Sequence, residues 1–184
     1  MRHLITIIAG AMLLAGAAQA QSFPEDDEFT TYNPWTAGDT TLSGSVRTDG
    51  EGGWAVLAIE RMSSSTMNAI PFTYSIGTYD ADFVNSQRRY FGRNIASQVS
   101  VRVDGQSFRP VSAVMQADDE GGITMEMTFY DPADETSPDV WEKSCPVVAA
   151  IKRGRSVSVV FPPESDGWLP LTGRGSSAAL SDVC

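Results

Sequence analysis

An all-β fold, a sandwich or barrel-like arrangement with one or two short helices near the carboxyl end, is the class this sequence predicts. Short stretches of β-branched and aromatic residues recur from about Leu42 onward, and turn-forming residues separate them. Helical signals are scarce and fall in the last third of the chain.

The strands follow in order. Trp54 to Arg61 is a nearly continuous apolar run, which suggests a strand buried on both faces. Phe72 to Tyr79 places Phe72, Tyr74 and Ile76 on one side. Val99, Val101 and Val103 alternate with Ser100 and Arg102 and run into Asp104-Gly105, the pair that a type I′ hairpin turn favours because both central residues need positive φ. Ile123, Met125, Met127 and Phe129 face one way while Thr124, Glu126, Thr128 and Tyr130 face the other, and Asp118 to Gly122 reads as the turn before them. Val157 to Phe161 is a further buried strand, stopped by Pro162-Pro163. Two short helices complete the pattern. Ser144 is placed to cap one through Val147, Val148 and Ile151, with Gly154 as its left-handed end, and Ser176 or Ser177 is placed to cap another through Val183.

The amino end reads as a leader. Arg2 and His3 precede the apolar stretch Leu4 to Gly16, and Ala18-Gln19-Ala20 supplies a small-x-small cleavage pattern, so cleavage after Ala20 is expected. The alternative is a membrane anchor, but the apolar stretch is shorter than the ~20 residues a spanning helix needs. Nothing after it is long and apolar enough to span, and no cysteine stands at the cleavage point, which argues against a lipoprotein. The expected organisation is a signal peptide over 1–20, an acidic arm over 21–41 and one β-rich domain over 42–184, located in the periplasm or outside the cell. The arm carries Asp26-Asp27-Glu28 and Pro24 and Pro34, yet Phe23, Phe29, Tyr32 and Trp35 indicate that part of it lies against the domain.

Charge and cysteine content narrow the chemistry. The net charge is −10, and loss of Arg2 makes the processed chain more negative still. Nucleic acid is therefore not an expected partner, since phosphate binding needs clustered positive charge. A basic partner would be attracted at long range, although acidity also serves solubility alone. The only cysteines, Cys145 and Cys184, reach an oxidising compartment if the chain is exported. One disulfide is the simplest account, and free or intermolecular thiols are the alternative.

Catalytic signals are weak. His3, the single histidine, lies in the expected leader, so the processed chain has no imidazole for a Ser-His-Asp or Cys-His arrangement or for a histidine-dependent zinc site. Neither Lys143 nor Lys152 sits in an S-x-x-K motif, and the Ser63-Ser64-Ser65 run reads as a surface turn. Asp131, Glu135, Ser137, Asp139 and Glu142 fall at calcium-loop positions, but Ala133 and Thr136 occupy positions that need a ligand and a glycine, so an acidic surface loop is the better reading. No catalytic residue, metal site or cofactor is expected. A carboxylate pair could still support a histidine-free hydrolase. The one dense basic and aromatic cluster is Arg88-Arg89-Tyr90-Phe91-Gly92-Arg93. Arg and Tyr are common interface anchors, so Arg88, Arg89, Tyr90, Phe91 and Arg93 form a candidate interaction patch. The plainer reading is internal charge balance, with the arginines paired to acids and both rings in the core.

The last third of the chain resembles the invasion-associated locus B family of exported α-proteobacterial proteins. The matching stretches run from Val147 to Val157, through Val159-Val160-Phe161, to Leu169-Pro170-Leu171-Thr172 and Gly175-Ser176-Ser177-Ala178-Ala179-Leu180. Gly53-Trp54-Ala55-Val56 and Val101-Arg102-Val103-Asp104-Gly105 are similar to the family's early tryptophan strand and its central strand and turn. Leu57 and Ala58 stand where the family usually has a cysteine, and Cys145 stands alone where it has a close pair. The resemblance implies a compact β-rich envelope protein associated with host-cell invasion or envelope function, and it transfers no catalytic residue. The expected function is a non-enzymatic envelope protein that contacts another envelope protein or a host surface. A small periplasmic inhibitor or ligand-binding module is the alternative.

Overall fold

The computed structural model describes residues 31–38, 42–50, 52–63, 68–78, 80–118, 121–162 and 169–184. The expected leader, the stretch before Thr31 read as an arm, most of the serine run and the tip of the Asp118 to Gly122 turn lie outside the described residues. Within them the fold is mostly β, with short helices, two of them near the carboxyl end, as the sequence predicts.

The chain enters as two short strands, β1 (Thr31–Tyr32) and β2 (Thr36–Ala37), both paired to β3 (Ser43–Gly50). Thus the folded unit reaches back beyond Leu42 into the stretch read as an arm. Trp35, between β1 and β2, is buried, and its indole Nε1 donates to the Thr172 carbonyl at 2.8 Å. A hairpin joins β3 to β4 (Gly53–Glu60), with Gly50 opposite Gly53. The small pair β5 (Met62–Ser63) and β6 (Asn68–Ala69) leads to β7 (Phe72–Thr78), and α1 (Ala81–Gln87) follows. Next come β8 (Ser100–Val103), β9 (Gln106–Phe108), β10 (Ser112–Ala117) and β11 (Ile123–Thr128). The last third holds α2 (Cys145–Arg153), β12 (Ser156–Val160), β13 (Leu171–Thr172) and α3 (Ser176–Ala179).

The larger sheet has the order β1-β3-β4-β7-β11-β10, with β2 also on β3, and the smaller has the order β13-β12-β8-β9. All named strand pairs are antiparallel. One inward face per strand supplies the core: Leu57 and Ile59, Phe72 and Tyr74, Met125 and Met127, Val101 and Val103, Val157 and Val159. Phe161 joins the layers, with its ring 6.1 Å from that of Tyr74 and 6.5 Å from that of Phe83 on α1. Burial of this apolar surface is the main term favouring the fold.

Several local expectations are corrected. β4 is not buried on both faces: Ala55, Leu57 and Ile59 are buried, whereas Trp54, Val56 and Ala58 are half-exposed. An antiparallel sheet covered on one side tolerates apolar residues on its wet face. The Asp104-Gly105 turn does form, with φ of 47° and 85°. Gly154, however, is extended at φ −75° rather than left-handed. The Asp104 carboxylate accepts from the backbone N–H groups of Arg155 and Ser156 at 3.0–3.1 Å, which carries the chain straight from α2 into β12. Gly175, φ 86°, is the left-handed residue, and it precedes α3 in place of a serine cap. Ser144 does not cap α2 with its side chain. A 3-10 turn over Val140–Ser144 runs directly into that helix, and the Ser144 hydroxyl donates instead to the Ile70 carbonyl at 3.4 Å. The unanticipated α1 is capped by Asp80, whose carboxylate accepts from the N–H groups of Asp82 and Phe83.

Cys145 and Cys184 form a disulfide, with Cα atoms 5.7 Å apart. It fastens the final residue to the start of α2, beside the buried Leu180 and Val183. A Cys145→Ser/Cys184→Ser variant should lose roughly 4 kcal/mol in urea denaturation, the loop-entropy value for a closed loop of this length. An unchanged midpoint would show that the terminal turn holds without the cross-link.

Candidate interaction surface

The basic and aromatic cluster is built by the chain that leaves α1. Gln87, at the helix end, is fully buried and fixes its direction, and a 3-10 turn over Arg88–Tyr90 follows. The next residues lie along the outer edge of β10. Phe91 bridges to Met115 in a parallel sense and Asn94 to Val114 in an antiparallel one. Gly92 N–H donates to the Met115 carbonyl at 2.9 Å and Ile95 N–H to the Ala113 carbonyl at 2.8 Å. The Asn94 side-chain oxygen accepts from the N–H groups of Ala96 and Ala113. Gly92 has φ 69°, a left-handed conformation that lets the chain turn onto the edge without a Cβ penalty.

The two rings and the three guanidinium groups part company. Tyr90 and Phe91 are half-buried and pack against the core, whereas Arg88, Arg89 and Arg93 are exposed. Arg89 stacks on Tyr90, with its guanidinium carbon 4.8 Å from the ring centroid. None of the three arginines pairs with an acid among the described residues, where the ion pairs are Arg47–Asp49 and Lys143–Asp134. Val114, bridged to Asn94, borders the cluster and is one of the few large apolar side chains left exposed among the described residues, at 37%. The result is a cationic surface with an apolar border on a hydrogen-bonded frame. Such a surface suits a partner that offers carboxylates and apolar side chains together.

The acidic stretch from Asp131 to Glu142 lies elsewhere and forms turns. Asp131 accepts from the Ala133 N–H at 3.0 Å, and Lys143 Nζ meets the Asp134 carboxylate at 3.5 Å. Asp134, Ser137, Pro138, Asp139, Val140 and Lys143 line a hollow of about 180 Å³. No three potential metal-ligating groups converge among the described residues. Trp141 closes the loop by donating to the Pro138 carbonyl at 3.0 Å, and the Arg61 guanidinium lies over its ring at 3.9 Å. That stacked pair was not foreseen, because its partners are far apart in the chain. Beneath the loop Tyr130 is buried against Ala69 and Val140. Burial, and then the nearby charges of Glu135 and Glu126, push its phenol up to about 12.

No helix among the described residues is long and apolar enough to cross a membrane. No protein-family model matches the chain, and no curated protein or solved structure matches it.

The raised Tyr130 phenol has a fixed sign. The neutral form is favoured in the fold, so its stabilisation is whole below the ordinary tyrosine value near pH 10 and is lost as pH climbs toward 12. Alkaline absorbance titration should show a late-ionising component, and Tyr130→Phe should reduce it by one phenol. A late component of unchanged amplitude in that variant would show that Tyr130 does not contribute to it.

Proposed function

We propose that the chain is an exported, non-enzymatic cell-envelope protein that acts by protein contact, in keeping with its resemblance to the invasion-associated locus B family. The carrying observation is the surface of Arg88, Arg89 and Arg93: three exposed cations without an acidic partner among the described residues, beside half-buried Tyr90 and Phe91. In a chain of net charge −10, solubility does not account for concentrating cations on one sheet edge. The frame beneath them is rigid, so a partner meets a preorganised surface and less ordering entropy opposes binding. The Cys145–Cys184 disulfide agrees with an oxidising location such as the periplasm or the exterior.

A second reading, a small inhibitor or ligand-binding module, draws on the acidic loop around the 180 Å³ hollow. A basic protein would be its fitting target. The two readings use different residues and separate cleanly by mutation.

Affinity capture from envelope extract, comparing the native chain with Arg88→Ala/Arg89→Ala/Arg93→Ala, tests the proposal. A specific protein partner should be retained by the native chain and depleted about tenfold or more on the variant, as truncation of interface anchors does. Equal retention by both would overturn the assignment of this surface. Loss on Asp134→Asn/Asp139→Asn instead would transfer the role to the acidic loop.

A further inference from the structure

We infer that the arginine surface receives the acidic amino-terminal stretch of a second copy of this chain, and that reciprocal exchange of these stretches makes a two-fold dimer. The inference rests on reading the Arg88–Arg93 cluster as a contact surface, and it names the occupant. Arg88, Arg89 and Arg93 call for carboxylates, and half-buried Phe91 with exposed Val114 calls for apolar side chains beside them. One stretch of this chain has both. Glu25-Asp26-Asp27-Glu28 is a run of four acids, flanked by Phe23-Pro24 on one side and Phe29 on the other. Charge pairing of this kind fixes register and partner choice, because misaligned like charges repel.

Topology makes the contact intermolecular. The amino-terminal stretch joins the fold at Thr31 on β1, which pairs with β3 at Asp49, whereas the arginines are fastened to the outer edge of β10. These strands stand at opposite ends of the larger sheet. Reaching the arginine-bearing chain outside β10 takes six steps of ~4.8 Å, about 29 Å across the open sheet. Glu25, the farthest of the four acids, lies six residues before Thr31, a reach of about 22 Å at most. The backbone of the acidic run therefore falls short of that copy's own arginine-bearing chain. A neighbouring copy can bring its sheet edge up to them, and the reciprocal arrangement closes on itself without leaving either surface free.

A nucleic acid or an anionic membrane would also offer negative charge. Both would have to approach the whole molecule, whose charge is −10, and so would be repelled on average. A short acidic segment confronts only the local cationic surface. At low ionic strength that contact is strong, and it weakens as salt shortens the screening length.

The test is sedimentation equilibrium of the exported, processed chain at low and high salt, with two charge-reversed variants. The patch variant is Arg88→Glu/Arg89→Glu/Arg93→Glu, and the arm variant is Glu25→Lys/Asp26→Lys/Asp27→Lys/Glu28→Lys. Thermal denaturation first establishes that both fold as the parent does, which is expected because all the altered groups lie on the exposed patch or ahead of the first strand. The parent should dimerise at low salt and dissociate in 0.5 M salt, roughly where screening falls to a few ångströms. Each variant alone should associate at least about tenfold more weakly. An equimolar mixture of the two should recover a heterodimer, since the reversed charges again match across the pair. A synthetic peptide of residues 22–30 should compete with the parent dimer, and its glutamine and asparagine counterpart should not. A parent that stays monomeric at about 100 μM and low salt overturns the inference, as does a dimer indifferent to both reversals or a mixture that fails to associate. Binding of the patch by anionic vesicles or DNA oligonucleotides in place of the peptide overturns it as well. A monomeric parent whose triple-alanine variant still loses an envelope partner sinks this inference alone and leaves the proposed function standing.

Discussion

The outer carbonyls of Ala113 and Met115 need donors, because β10 is the last strand of the larger sheet and an open strand edge invites pairing with other chains. Gly92 and Ile95 supply those donors, and Asn94 takes the Ala113 N–H. Closing the edge in this way also decides what the surface presents. A chain pinned at Gly92 and Ile95 leaves Arg93 outside, and the preceding turn leaves Arg88 and Arg89 outside while Tyr90 and Phe91 are drawn toward the core. The cationic surface is thus a consequence of how an edge strand is protected. Its precision comes from backbone hydrogen bonds and half-buried rings, so its long side chains are mounted on fixed points.

The opposite side of the molecule is governed by ties of greater sequence separation. Trp35 brings the first strands against Thr172, Asp104 links the β8–β9 turn to the start of β12, and the disulfide holds the last residue to α2. The Ser176 hydroxyl donates to the Ile151 carbonyl at 2.8 Å, joining α3 to α2 from within. The Trp35 and Ser176 bonds each satisfy a buried polar group that the packing would otherwise strand. The pairing of β1 with β3 and of the Gly92–Ile95 segment with β10 places the amino-terminal entry at one end of the larger sheet and the arginines at the other.

Much of this fold can be read from the residues. β7 alternates cleanly because its wet face is polar, whereas in β11 the alternation holds only through Met127, since Thr128 and then Tyr130, expected on the wet face, are buried. The β8–β9 hairpin is announced by an Asp-Gly pair whose backbone needs few residues accept. β4 misleads because Val56 and Ala58 are apolar on the wet face, so burial of one side imitates burial of both. The two-residue strands β1, β2, β5, β6 and β13 are too short to carry a period. α1 spans less than two full turns and shows itself only in the Asp80 cap and Asp82 in its first turn. Gly154 and Gly175 both look like helix-flanking glycines, and only the tertiary pull of Asp104 distinguishes them. For the surface, composition identifies the arginines and rings but not their fate. Whether an arginine meets one of the acids depends on which loops the fold brings near it, and that is information of the assembled sheet.

The central claim is that a rigid edge, and not a loose loop, displays Arg88 to Arg93. Amide hydrogen exchange of the isolated protein reads this directly at single residues. Gly92 and Ile95 should exchange as slowly as the neighbouring amides of β10, with Arg88 and Arg89 on the exposed turn exchanging faster. Exchange of Gly92 and Ile95 at the rate of an unstructured peptide would contradict the account.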